Sequence, residues 1–154
     1  MNLRLARRAA TLATLATALT LAGSAHAADD PLKKAAAEPG AVVSESGLVF
    51  LSLREGKGAS PVATDTVKVH YRGTFTDGRE FDSSYQRGEP TSFPLNRVIK
   101  CWTEGVQKLK VGGKAKLTCP SAIAYGERGA GGGQIPGGAT LVFEVELLAI
   151  NGKP

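Results

Sequence analysis

From Leu141 to Leu147 apolar and charged residues alternate strictly. Leu141, Phe143, Val145 and Leu147 fall on one side, Glu144 and Glu146 on the other. Successive side chains of a strand point to opposite faces, so this segment demands a sheet with one covered and one wetted face. Val67 to Arg72 repeats the pattern, with Val67, Val69 and Tyr71 opposed to Lys68, His70 and Arg72. Lys114 to Cys119 alternates again, and Leu48 to Leu53 reads as a first strand. Asp77-Gly78 is a hairpin-type turn signal. Phe93 and Leu95 lie in a further extended piece, and Pro94 between them favours an edge position. Only Val98 to about Leu109 has the helical period, with Val98, Trp102, Val106 and Leu109 on one face before Gly112-Gly113. Strands joined mostly by turns, with one short helix to cover them, predict an α+β domain built on an antiparallel sheet.

The N-terminus carries an export pattern. Arg4, Arg7 and Arg8 form a basic stretch, Ala9 to Ala22 contains only Ala, Leu and Thr, and Ala25-His26-Ala27 fits a small-x-small cleavage site. The apolar run is too short to span a bilayer. Residues 1–27 are therefore expected to be a signal peptide, directing the chain to the periplasm or, alternatively, to secretion. Arg7-Arg8 lacks the rest of a twin-arginine pattern. Leu21-Ala22-Gly23-Ser24 has Ser where a lipidated Cys would stand, so no stable membrane anchor is expected after cleavage. Residues 28–46, polar and Ala-rich with Pro31, Pro39 and Gly40, read as a flexible lead. It is too short for a separate dimerisation domain, and a monomer is expected. Residues 47–152 are expected to form the domain.

Cleavage changes the charge argument. The chain has 19 basic and 14 acidic residues, and the three arginines of the signal leave 16 against 14. Nucleic-acid binding thereby loses its compositional support. His70 is the only histidine left, which argues against a histidine-bearing metal site. It reads as an ordinary surface residue. Cys101 opens the helix and Cys119 ends the strand after it. If that strand returns antiparallel to the helix, the two meet in a disulfide; the alternative is a pair of buried thiols.

Aromatics are scarce, nine in 154 residues, yet five of them (Tyr71, Phe81, Trp102, Tyr125 and Phe143) sit in short apolar motifs. Singly, each has an ordinary explanation. Trp102 and Phe143 suit a core, Tyr125 a loop anchor, and Asp82 before Ser83-Ser84 a turn or cap. Jointly, Val69-His70-Tyr71, Phe81-Asp82-Ser83-Ser84, Val98-Ile99-x-x-Trp102, Ala124-Tyr125-Gly126, Ile135-Pro136 and Ala139 to Leu148 occur in one order. The chain from about Gly47 to Ile150 resembles the FKBP-type peptidyl-prolyl isomerases. The resemblance implies a twisted antiparallel sheet wrapped around one short helix, acting on proline-containing polypeptides with no cofactor and no metal.

It also implies roles. Trp102 would be the floor under a proline ring, and Tyr71, Phe81, Val98, Ile99 and Phe143 the walls. The Ile99 N–H and the Tyr125 hydroxyl would hydrogen-bond substrate carbonyls. Asp82 would polarise the pocket edge, and Ile135 would lie on a flap above it. Thr91 stands where relatives often place an aromatic wall, which would weaken binding of tacrolimus-type macrolide inhibitors. The flap would be Gly126 to Gly138, where seven of thirteen residues are glycine, implying mobility. It contains neither GxxxxGK[ST] nor a GxGxxG between strand and helix, so nucleotide binding is not indicated. Ser83 and Ser84 have no nucleophile-elbow setting that would make His70 part of a hydrolase. The rivals to an isomerase are a proline-segment binding module and a holdase chaperone.

Overall fold

The computed structural model describes residues 30–154; the expected signal peptide lies outside them. Seven strands form one sheet, all pairs antiparallel. In chain order they are β1 (Val42–Val43), β2 (Val49–Arg54), β3 (Thr66–Phe75), β4 (Glu80–Ser83), β5 (Thr91–Pro94), β6 (Lys114–Cys119) and β7 (Leu141–Ile150). The spatial order is β1-β2-β6-β7-β3-β4, with β5 also on β3. Both β4 and β5 take the same edge of β3, β5 against Thr66 to Val69 and β4 against Arg72 to Thr74. The α+β class with a wrapped antiparallel sheet is thus the observed one.

The alternation in the sequence is the alternation in space. Along β7 every second residue from Leu141 to Ala149 is buried, and Glu144 and Glu146 lie on the outer face beside Arg72 and His70 of β3. The inner face meets α3 (Lys100–Val106), whose Trp102 and Val106 are buried with Leu109 just beyond its end. The contact is close: a methyl group on Gly105 would lie 2.8 Å from both δ-carbons of Leu117. Seven residues are too few for an independently stable helix, so α3 is held by this packing. It is shorter than the predicted Val98-to-Leu109 element. Val98 and Ile99 are extended, and Thr103 Oγ1 donates to Leu95 O at 2.7 Å, fixing the turn that enters the helix.

A disulfide joins Cys101 to Cys119, with Cα atoms 5.9 Å apart and both residues fully buried. It ties the start of α3 to the end of β6.

The lead expected to be flexible is, from Asp30 on, part of the domain. Asp30 caps α1 (Pro31–Ala36), its carboxylate accepting from Leu32 N at 3.0 Å with Pro31 at the first helical position. Ala35 is buried, Glu38 accepts from Lys116 Nζ of β6 at 2.5 Å, and β1 adds a strand to β2. These anchors are long-range, and a six-residue helix is too short to show a period. A second short helix, α2 (Ser84–Arg87), was likewise not anticipated. Ser83 Oγ accepts from Gln86 N at 3.4 Å, and Gly88 ends the helix in the left-handed region. Ser83, not Asp82, is therefore the capping residue.

Candidate functional site

A cavity of about 330 Å³ opens where β3, β4, β5, β7 and α3 converge. Its lining is Tyr71, Phe81, Asp82, Phe93, Arg97, Val98, Ile99, Trp102, Tyr125 and Phe143. Trp102, 4% exposed, is met edge-to-face by Tyr71 at 5.1 Å, Phe93 at 5.5 Å and Phe143 at 5.5 Å between ring centroids. Phe81 in turn stands at 89° to Phe143. Each such pair adds about 0.5–1.5 kcal/mol beyond its buried area, so the floor and walls lock one another in place.

Gly73 makes this packing possible. It pairs with Phe143 on one side and Asp82 on the other. A methyl group there would lie 2.6 Å from Phe81 Cζ and 3.0 Å from Phe143 Cε1. Gly73→Ala is expected to cost about 1–3 kcal/mol, as over-packing does, and to displace both rings. Urea unfolding, with Trp102 emission as the pocket probe, checks this. Unchanged stability and unchanged emission would mean that the walls are not held by β3.

One carboxylate enters the cavity. Asp82 Oδ2 accepts from the Tyr71 hydroxyl at 2.5 Å, and Oδ1 from Arg87 Nη1 at 2.6 Å. Arg87 Nη2 also donates to the Tyr71 hydroxyl at 3.0 Å and to Thr91 Oγ1 at 3.2 Å. Burial pushes the Asp82 carboxyl up, but the hydrogen bonds from Tyr71 and Arg87 and the guanidinium charge outweigh it and hold it below the ordinary carboxylate range. Burial, then the Asp82 carboxylate, push the Tyr71 phenol up against the opposing pull of Arg87. Tyr125 is raised by burial and by the charge on Asp82. Its hydroxyl has no hydrogen-bond partner among the described residues, and neither does the Ile99 N–H at the head of α3.

Eight of the nine residues singled out in the sequence line this cavity; Ile135 does not. It is 7% exposed, its side chain packing from the flap into the core, and its N–H and C=O are bonded to Ala130 at 3.0 Å each. The flap's glycines serve close approach. A methyl on Gly137 would sit 1.9 Å from Glu127 O, and one on Gly129 2.1 Å from Ile135 O. Only glycine fits there, and the loop these positions build is cross-bonded, with Gln134 Nε2 reaching Phe81 O at 3.1 Å.

Two lining residues were missed. The aromatic wall thought absent at Thr91 is supplied by Phe93, two places along β5, while Thr91 is engaged by Arg87 and does not line the cavity. Arg97 ends the turn before Val98 and has no motif to mark it. Arg87 was missed with its helix, although Ser83, Gln86 and Gly88 give a cap-and-stop signal. His70 is not an ordinary surface residue. Its ring stacks on Tyr85 at 4.6 Å, and Nδ1 lies 2.9 Å from Ser84 Oγ. Ser84 is fully buried and bonded to both Tyr71 N and Tyr71 O, so it fastens α2 to β3 and is unavailable as a nucleophile.

A family model for FKBP-type peptidyl-prolyl cis-trans isomerases matches residues 57–148. The FKBP-type peptidyl-prolyl cis-trans isomerase FkpA of Aeromonas hydrophila is 59% identical over 119 residues, covering 77% of this chain and 43% of that protein. The crystal structure of FkpA from Escherichia coli superposes with a TM-score of 0.75 at 50% identity, over 80% of this chain and 57% of that one. That of a peptidyl-prolyl cis-trans isomerase from Pseudomonas syringae gives 0.73 at 38% identity, over 78% and 87% respectively. The chain spans about half the length of the curated relatives it matches.

Proposed function

This chain belongs to the FKBP-type peptidyl-prolyl cis-trans isomerases, and we propose that it accelerates X-Pro isomerisation in polypeptides exported into a bacterial envelope. The observation that carries this reading is the cavity itself: an aromatic floor and walls beside two unengaged donors, the Ile99 N–H and the Tyr125 hydroxyl. Rotation about a peptide bond faces a barrier of about 18–20 kcal/mol because resonance flattens the amide. In the twisted transition state that resonance is lost and charge separation falls, so an apolar site favours it over the planar ground state. The proline ring rests on Trp102 between Tyr71, Phe81, Val98 and Phe143. Ile99 N–H and Tyr125 Oη hold the flanking carbonyls in the twisted geometry. Asp82, kept ionised by Arg87 and Tyr71, fixes the field at the pocket edge. No bond to the substrate forms, so no nucleophile is needed. Export is supported by the pattern in residues 1–27, and the Cys101–Cys119 bond suits an oxidising compartment.

The test is isomerisation of a short Leu-Pro peptide by the full chain, with a tacrolimus-type macrolide as competitor. Asp82→Ala and Phe143→Ala are each expected to lose about tenfold or more, equivalent to 1.36 kcal/mol per decade, with folding verified by circular dichroism. Asp82 lies below the usual carboxylate range and both tyrosines above the usual phenol range. The Asp82 network therefore contributes above its unfolded value of about 3.9 and is lost only as pH falls through the lower folded one. kcat/KM should then be level between about pH 5 and 9. A wild-type rate no faster than buffer ends the isomerase reading.

A further inference from the structure

We infer that Arg97 makes this pocket select substrates with a carboxylate side chain beside the X-Pro pair, a specificity that rests on the cavity being the substrate site proposed above. Of the ten lining residues only Asp82 and Arg97 carry a full charge. Asp82 stays ionised but already has its counter-charge, paired with Arg87 at 2.6 Å and bonded to the Tyr71 hydroxyl. Arg97 has no ion pair and no side-chain hydrogen bond among the described residues. Among the described residues, the lining of this largely aromatic cavity thus carries one uncompensated cation.

Its placement is fixed from below. Arg97 closes the three-residue turn Leu95–Arg97. Leu95 is fully buried, its N–H donates to Asp65 O at 2.9 Å, and its carbonyl accepts from Thr103 Oγ1 at 2.7 Å. The backbone is therefore anchored while the Arg97 side chain is exposed. The next two residues are the Val98 wall and Ile99, whose N–H takes a substrate carbonyl in the proposed function. A peptide held there runs past Arg97, within reach of a long side chain. A guanidinium offers a carboxylate two parallel donors, whereas it repels an ammonium group.

The experiment uses the full chain and peptides with Glu, Gln or Lys one residue before or after a Leu-Pro pair. Affinity is read from emission of Trp102, the chain's one tryptophan, and turnover from isomerisation. One exposed charge pair is worth about threefold at low ionic strength, so the Glu peptide should bind about tenfold tighter than the Lys peptide at the better position. The preference should fade in 1 M salt, where screening extends only about 3 Å. It should appear in KM, since a rim contact is equal in ground and transition states. Arg97→Glu should reverse the order. Lys100→Glu, which changes net charge equally at an exposed neighbour, should leave it in place.

No charge preference in the wild type, an order that survives Arg97→Glu, or peptides that do not bind at all each overturn the inference. The two readings separate. Peptides bound in the predicted order but not isomerised would refute the isomerase and support the role of Arg97; peptides isomerised without charge preference would do the reverse.

Discussion

Trp102→Ala is expected to destabilise the fold by about 3–5 kcal/mol, the range for deleting a large buried aromatic. The ring is almost fully buried, and three further rings meet it edge-on. Its indole N–H is buried without a nitrogen or oxygen acceptor among the described residues, so truncation removes packing alone. Collapse cannot recover that loss, because Tyr71 and Phe143 are fixed in paired strands and Phe93 in an edge strand. Against a usual total of about 5–15 kcal/mol, the variant would be only marginally folded. Urea unfolding followed by far-ultraviolet circular dichroism measures this, since the substitution deletes the fluorophore. Trp102→Phe, which keeps a flat floor, should cost clearly less and retain part of the binding. A loss below about 1 kcal/mol in Trp102→Ala would show that the floor is not structural.

Replacing both cysteines is expected to cost about 3 kcal/mol. The Cys101–Cys119 bond closes a loop with a sequence separation of 18, and the chain-entropy estimate for such a loop is about that size. The melting temperature should fall by roughly 10 °C for a domain of this length. The double variant Cys101→Ala/Cys119→Ala is the right comparison, because both sulfurs are buried and native reduction would need the core to open. A double variant as stable as the wild type would show that packing alone sets α3 against β6. Loss of pocket affinity beyond the loss of stability would show that the bond also sets the position of Trp102, its immediate neighbour.

Trp102 and the Cys101–Cys119 pair also mark how far the sequence could be read. Alternation along β3, β6 and β7 depends on burial of one face, and burial is written directly into residue choice. The same property made α3 legible through Trp102, Val106 and Leu109, and let its start be matched to the end of β6. The walls followed because they lie on those elements. What stayed hidden has a different physics. The strand β4 and the helix α2 have four residues each, too few for any period, so only the cap and stop at Ser83, Gln86 and Gly88 mark the turn that carries Arg87. Phe93 was visible as part of a strand, but nothing beside Pro94 says which side meets the cavity. Ile135 reads as a flap residue over the pocket, whereas its side chain alone of that exposed segment is buried in the core. Glu38 and Lys116 are 78 residues apart, and no local pattern encodes such a meeting.

β7 lies between β6 and β3, and Phe143 belongs to its first half. Tyr71 on β3 and Phe143 on β7 lie far apart in the sequence and come to the same Trp102 ring only when β3 and β7 have paired. The pocket is therefore not a separable part that could form early or survive partial unfolding. Anything that binds there recognises β3, β4, β5, β7 and α3 packed together, and its binding free energy is added to the stability of the fold that holds them. A segment bound in the cavity would thus act, for as long as it stays, as a last piece of the domain's own core.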